Sequence, residues 1–461
     1  FLKTKNEIVL EDRENQEWVY LYNYYVAEKN VAESLIALDN YLNVKEISNF
    51  EKKLKKIEKH SDLELSEKQR EAVIAVQEHN VCVITGGPGT GKTTIIKTII
   101  EMYKQEEKKV VLCAPTGRAA KRMSEATGEE AKTLHRLLEI GKTSSDELQN
   151  IDPNVEVAPL DADVIIVDEV SMVDIFLMNY LLQAIYKGTK LVLVGDSNQL
   201  PSVGPGNVLK DIIQSERLTT ITLNKIFRQA AKSKIILNSH KVNEGISIFS
   251  KDEQNENEEL LEDFFFINET NKLKVLENII SLCTGRLEKY GNYTFAQNIQ
   301  VISPTKKGEL GTKELNKSLQ QAINPESEEK NERKYIDSVF REGDRIMQIK
   351  NNYDIYWEKR EPTLEMGKGV FNGEYGTILN IDEVEKKVKI KFDDDKLVWY
   401  NFDELEQIEH SYCITVHKAQ RKRIWCSYYA NCTSCTNATY SYITIYCNDK
   451  SKKTTYFNWK S

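Results

Sequence analysis

Four short apolar runs, VCVITG, KVVLCAPT, ADVIIVDE and TKLVLVGD, punctuate the stretch from Leu65 to about Leu223, each followed by a polar loop and a segment with helical spacing. Continuous runs of this kind fit strands of a parallel sheet whose two faces are both covered by helices. The pattern predicts an α/β nucleotide-binding core over residues 65–225. Before it, residues 1–64 read as helical: VYLYNYYVAEKNVAESLIALDNYL has apolar positions at helical spacing, and FEKKLKKIEKH presents a charged, solvated face. After the core, residues 226–335 read first as charged helices around KDEQNENEELLED and then as a second α/β region opening at NIQVISPTKKGELGTKELN. Residues 336–406 change texture, with short β-rich pieces such as YGTILNID and KVKIKFDDD broken by Gly and Asp turns, as in a small barrel. Strand followed by loop returns in SYCITVHKAQ, residues 411–420, and no internal repeat is visible.

Composition narrows this picture only slightly. With 461 residues, 40% of them hydrophobic and 29% charged, the chain has the length for several domains and the balance of an ordinary globular protein. No run of about eighteen apolar residues occurs and the N-terminus lacks a signal-peptide layout, so no membrane role and a cytoplasmic location are expected. The first residue is Phe1 rather than Met, which predicts a fragment or a processed product. A net charge of −8 argues against a dedicated sequence-specific DNA binder, while leaving room for a motor that grips a strand in a local groove. Of eight cysteines, Cys82, Cys113, Cys283 and Cys413 stand singly in apolar or regular segments and read as small buried hydrophobes.

GGPGTGKTT, Gly86–Thr94, follows a strand run and precedes the helical IIKTIIEMY, the context a phosphate-binding loop requires. Gly87, Pro88, Gly89, Thr90 and Gly91 form a loop whose backbone N–H groups can close around phosphates at a helix N-terminus. Lys92 can reach the β and γ phosphates, and Thr93, followed by Thr94, can ligate Mg²⁺. VIIVDE ends its strand run in two carboxylates: Asp168 fits as a partner of Mg²⁺, and Glu169 as the base that polarises the attacking water. In LVGDSNQLPSVGPG, Asp196 and Gln199 follow the next strand and would emerge beside the γ-phosphate, unless this is only a surface loop of turn formers. Arg228 in IFRQA is either a surface arginine or a guanidinium reaching the γ-phosphate. Gln69 in LSEKQREAV has a spacing suited to an adenine-edge contact, with a solvated helix glutamine as the alternative.

Taken together, LSEKQREAV, VITGGPGTGKTT, LCAPTGRAAKRM, AKTLHRLL, VIIVDEVSMVD, VLVGDSNQLPSVGPGNVL, FRQ and ITVHKAQ resemble, in order and spacing, the superfamily 1 helicases, most closely the RecD-like group. The resemblance covers about Leu65 to Gln420. It implies two RecA-like motor domains with ATP and Mg²⁺ between them and single-stranded DNA across their top. It further implies 5′→3′ movement, action at duplex ends or forks in repair or recombination, and single-strand-binding or recombination proteins as partners. Pro115, Thr116 and Arg118, then Thr133 and His135, match the family's DNA-groove motifs of the first motor domain, and Thr415 and His417 match that of the second. A strand-end loop with a hydroxyl, a guanidinium and free N–H groups suits phosphate gripping without base readout. By position, residues 139–159 resemble the family's duplex-splitting pin and residues 336–406 its SH3-like module.

The resemblance stops at Gln420. The family continues with Gly, a variable residue and Glu, and later carries a YTA-x-TRAK stretch whose arginine faces the γ-phosphate. Residues 421–461 offer instead Arg421, Lys422 and Arg423 and a tail rich in Tyr, Thr and Cys. Cys426, Cys432, Cys435 and Cys447 contain one C-x-x-C with irregular spacing and no apolar framework, which argues against zinc. Without the arginine, the chain could be an ATP- and DNA-binding protein with impaired turnover. A single-base frameshift at the junction of Gln420 and Arg421 is the expected origin of the tail. Arg421–Trp425, written AGG AAA AGA ATT TGG, gives Gly-Lys-Glu-Phe when begun one base later. The same shift permits TRILLYTAMTRAKK further on, with arginines and lysines at the family's spacing. The expected outcome is that the gene's codons spell this shifted string; sequencing them decides the matter.

Overall fold

The computed structural model describes residues 7–13, 16–41, 50–60, 64–140, 157–225, 233–247, 263–269, 271–287, 289, 299–360, 364–419, 426–432 and 441–447. They divide into two units, one formed mainly by residues before 256 and the other mainly by residues 256–455.

In the first unit six strands form one parallel sheet. Their order across the sheet is Ala131–Thr133, Val110–Ala114, Val164–Val167, Lys190–Gly195, Val81–Gly86 and Thr219–Leu223. The continuous apolar runs split by alternation, as residues pointing to opposite faces must. Cys82 and Ile84, with Val164 and Ile166, pack under the helices Glu67–Glu78 and Lys92–Lys104. Val81 and Val83, with Ile165 and Val167, pack under Ile175–Gln183 and Val208–Gln214. Because all six strands run the same way, their C-terminal ends share one edge, and the loops that carry chemistry leave from that edge.

The N-terminal region departs from the all-helical expectation. Ile8–Arg13 and Gln16–Leu21 pair as an antiparallel hairpin before the helix Tyr22–Asp39 begins. The reason lies in side-chain type: Trp18, Val19 and Tyr20 favour a pleated strand, while the helical spacing becomes continuous only from Tyr22. Val31, Leu35 and Leu38 of that helix join the apolar layer on one sheet face, and Tyr24 meets Phe176 edge-on at 5.1 Å.

Among the described residues the second unit contains three sheets, the smallest being the antiparallel pair Glu332–Tyr335 and Ser338–Arg341. A five-stranded one runs Cys413–Thr415, Ile299–Ser303, Cys426–Cys432, Ser441–Cys447 and Phe264–Asn268, parallel across its first three strands and antiparallel beyond. The strand Cys426–Cys432 is thus central, whereas residues 421–425, 433–440 and 448–461, with Cys435, lie outside the described residues. The largest sheet is antiparallel and seven-stranded, drawn from Arg345 to His410, around a core of Ile346, Ile378, Ile390, Phe392 and Val398.

One carboxylate links this barrel-like sheet to the helix Thr312–Ile323. Asp344 is 0% exposed. It accepts hydrogen bonds from Gln320 (2.6 Å), Asn324 (2.8 Å), the Arg341 N–H (2.8 Å) and Tyr412 (2.9 Å), and lies 3.0 Å from His410 Nε2. Burial pushes its carboxyl upward, but the bond and charge of His410, with Asn324 and the Arg341 N–H, outweigh this and hold it below the ordinary value. Asp344→Ala should therefore destabilise this unit by about 3–5 kcal/mol, measured by urea unfolding. A lowered folded pKa means that the stabilisation is present above 3.8, the ordinary carboxylate value, and is lost as pH falls through the lower folded one. The gap between the two proteins should accordingly close on acidification toward pH ~3.

Candidate nucleotide and DNA site

The phosphate loop joins a strand buried along its whole length to the first turn of the helix Lys92–Lys104. Gly89 and Gly91 have φ of 77° and 83°, left-handed values that glycine adopts without strain. At Gly86 a Cβ would lie 2.8 Å from Thr90 Oγ1 and 2.9 Å from Leu223 Cβ, so the loop turns against its neighbours with no room for a side chain. Thr90, 1% exposed, donates to the Gly87 carbonyl at 2.8 Å. Lys92 Nζ donates to the carbonyls of Gly86 and Gly87, the second at 3.1 Å. Thr93 is exposed on the first helical turn, and Pro88 and Thr94 are half-buried.

Gln69 is not a solvated helix residue. It is 2% exposed, its Oε1 accepts from the Ser66 N–H at 2.9 Å in a capping box, and its Nε2 donates to the Thr90 carbonyl at 3.2 Å. It therefore ties a helix N-terminus to the phosphate loop.

Asp168 and Glu169 leave the buried strand Val164–Val167, which is separated from the loop's strand Val81–Gly86 by Lys190–Gly195. Asp168 Oδ1 accepts the Glu169 N–H at 2.8 Å, and Glu169 itself sits at φ 58°, ψ 41°. A non-glycine residue in that region carries a conformational cost, met here where a carboxylate must be aimed. Asp196, 3% exposed, follows the adjacent strand Lys190–Gly195 and accepts the Asn198 N–H at 3.0 Å. Burial raises its pKa; Lys92, the Asn198 N–H and the Gln199 side chain pull it down, and Glu169 pushes it up. Lys92, Glu169 and Gln199 therefore each lie within reach of Asp196. Sequence reasoning missed Thr85, whose hydroxyl accepts the Ser197 N–H at 3.2 Å and fixes the start of this loop. Its signal was a lone hydroxyl inside the apolar run VCVITG.

Further along the same edge, Pro115 is buried at the end of Val110–Ala114, and Thr116 and Arg118 open the helix Gly117–Thr127. A Cβ on Gly117 would be 4.0 Å from Thr133 Cγ2, so this loop and the next are neighbours. Thr133 caps the short helix Leu134–Leu137 by accepting the Arg136 N–H at 3.1 Å. Burial lowers the pKa of the adjacent His135, against the opposing pull of Asp174. In the second unit Thr415 is 8% exposed at a strand end, and His417 is exposed two residues later. Arg228 and the greater part of the pin-like segment, residues 141–156, lie outside the described residues.

A parallel sheet that delivers a phosphate loop, an Asp-Glu strand end and a loop with buried Asp196 and half-buried Gln199 to one edge defines a P-loop nucleotide-binding domain of RecA type. Residues 69–205 match the family described as AAA domain, and residues 315–392 match the ATP-dependent RecD-like DNA helicase SH3 domain. The chain is 33% identical over 356 residues to the ATP-dependent RecD2 DNA helicase of Deinococcus radiodurans, across 77% of this chain and 44% of that one. It is 30% identical over 471 residues to the RecBCD enzyme subunit RecD of Buchnera aphidicola, across 87% of this chain and 73% of that one. The chain belongs to the RecD-like family of superfamily 1 helicases. It spans less than half the length of the Deinococcus relative, 44%. Among solved structures, Bacteroides Pif1 bound to single-stranded DNA aligns over 82% of this chain and 88% of that one at 17% identity, with a TM-score of 0.43.

A carboxylate raised by burial is a cost at neutral pH, fully present above its folded pKa and gone below 3.8, the ordinary value. Asp196→Asn should therefore raise the thermal midpoint at pH 7 by about 2 °C, and the gain should vanish as pH falls toward ~4, as followed by differential scanning calorimetry.

Proposed function

We propose that the chain is an ATP-dependent DNA helicase, translocating 5′→3′ on single-stranded DNA and unwinding duplex at ends or forks, in cytoplasmic DNA repair or recombination. The observation that carries this reading is one shared sheet edge. Lys92, Asp168, Glu169, Asp196 and Gln199 follow neighbouring strands at one part of it, and the loops of Pro115–Arg118 and Thr133–His135 follow the strands next to them. Changes at the nucleotide can thus be passed to strand-gripping loops through rigid strands. Single-strand-binding or recombination proteins are the partners this role would call for.

In this reading the loop from Gly87 to Thr94 encloses the triphosphate and Lys92 neutralises its β and γ oxygens. Mg²⁺ would be held by the Thr93 hydroxyl and Asp168, which present hard oxygen donors, and when bound it would neutralise developing phosphate charge. Glu169 takes a proton from the attacking water, and Gln199 senses the γ-phosphate. Arg228 supplies positive charge to the transferring group. Gln69 would contact the adenine edge from the cap that already touches Thr90. Thr415 and His417 would hold the strand from the second motor domain.

A second reading is favoured by one observation, the break in the family pattern after Gln420. As written, the chain would bind ATP and DNA with turnover lowered by about 10³ to 10⁵, the effect of losing a γ-phosphate arginine. ATP hydrolysis with and without single-stranded DNA, on this chain and on one with the shifted frame restored, separates the readings. Strong DNA stimulation of the restored chain is expected, and no stimulation of either overturns the helicase reading. Glu169→Gln in the restored chain should lower hydrolysis by at least about 10²-fold while nucleotide binding persists.

A further inference from the structure

His240 lies in the helix Lys234–Asn243, far along the chain from the phosphate loop, yet its imidazole rests against Gly87. A Cβ built on Gly87 would be 3.0 Å from Cε1, 3.5 Å from Nε2 and 4.0 Å from Nδ1. Nε2 is shielded from solvent and, among the described residues, has no hydrogen-bond partner. Buried polar nitrogens are nearly always satisfied, so an orphan beside a working loop points to a partner acquired during function. That loop contains a carbonyl shared by two side chains. Gly87 O accepts from Thr90 Oγ1 at 2.8 Å and from Lys92 Nζ at 3.1 Å. Lys92 is also the group that nucleotide phosphates would draw away. Once it leaves, the Gly87 carbonyl retains Thr90 and has a lone pair to spare, and the imidazole edge faces the same residue.

We propose that His240 is a positioning residue of the nucleotide site: in its Nε2–H tautomer it takes over the Gly87 carbonyl when Lys92 moves to the phosphates, holding the loop in its loaded shape. The inference rests on the ATP-site reading above and adds to it a residue outside the phosphate-loop motif. It also gives a reason for glycine at position 87, since a methyl group there would push the ring edge away.

Equilibrium binding of a fluorescent ATP analogue to the full chain, without DNA, tests this. His240→Ala should weaken binding about 5- to 10-fold, the loss of one hydrogen bond, with no fall in the thermal midpoint of the free protein. His240→Gln, which keeps an N–H donor, should return affinity to within about 3-fold of the parent. Gly87→Ala should weaken binding, and adding His240→Ala to it should cost little more, because both disturb one contact. Wild-type affinity in His240→Ala, equal losses for Ala and Gln, or fully additive losses in the double variant would each overturn the proposal. An unaltered chain that fails to bind the analogue at all would instead overturn the ATP-site reading, an outcome distinct from these.

Discussion

A phosphate-binding loop must hold its backbone N–H groups open and still keep one shape. Here that requirement falls on the strand Val81–Gly86. It is hydrogen-bonded on both sides, to Lys190–Gly195 and Thr219–Leu223, and covered by apolar layers on both faces. Burying one valine or isoleucine side chain contributes roughly 1.5–3 kcal/mol, so the strand's end is fixed far more firmly than a surface loop could be. Thr90, Gln69 and Thr85 then transfer that rigidity outward, to the loop, to the helix Glu67–Glu78 and to the loop carrying Asp196 and Gln199.

The same economy governs the acidic residues. Asp196 stays beside Lys92 despite the burial that raises its pKa, whereas Asp344 in the second unit is lowered because His410, Asn324 and Arg341 surround it with donors. Two buried carboxylates thus behave oppositely. One is kept under tension next to a cation that the nucleotide would draw away; the other is saturated and serves as a structural joint between a helix and an inserted sheet.

Much of the first sheet was legible because its signals are local. Apolar runs mark doubly covered strands, and the glycines of GGPGTGKTT stand where the backbone needs left-handed φ. The N-terminal hairpin was not legible, since an aromatic-rich segment satisfies strand and helix periods alike, and only packing selects between them. The role of Gln69 as a cap was hidden by its apparent place on a solvated helix. The Asp344 network could not be read at all, because Gln320 and Tyr412 meet it from distant parts of the chain. His240 was missed for the same reason, as no spacing rule connects it to Gly87.

Glu169 shows where selection for stability and selection for chemistry part company. Its backbone sits at φ 58°, where glycine or asparagine would be more comfortable by about 1 kcal/mol. A redesign that scored only folding free energy would discard this glutamate early, and would yield a sturdier sheet without the acid–base group proposed for the site. Positions of this kind can serve as markers when other structures are inspected: a charged side chain in left-handed backbone at the end of a buried strand is a candidate for function.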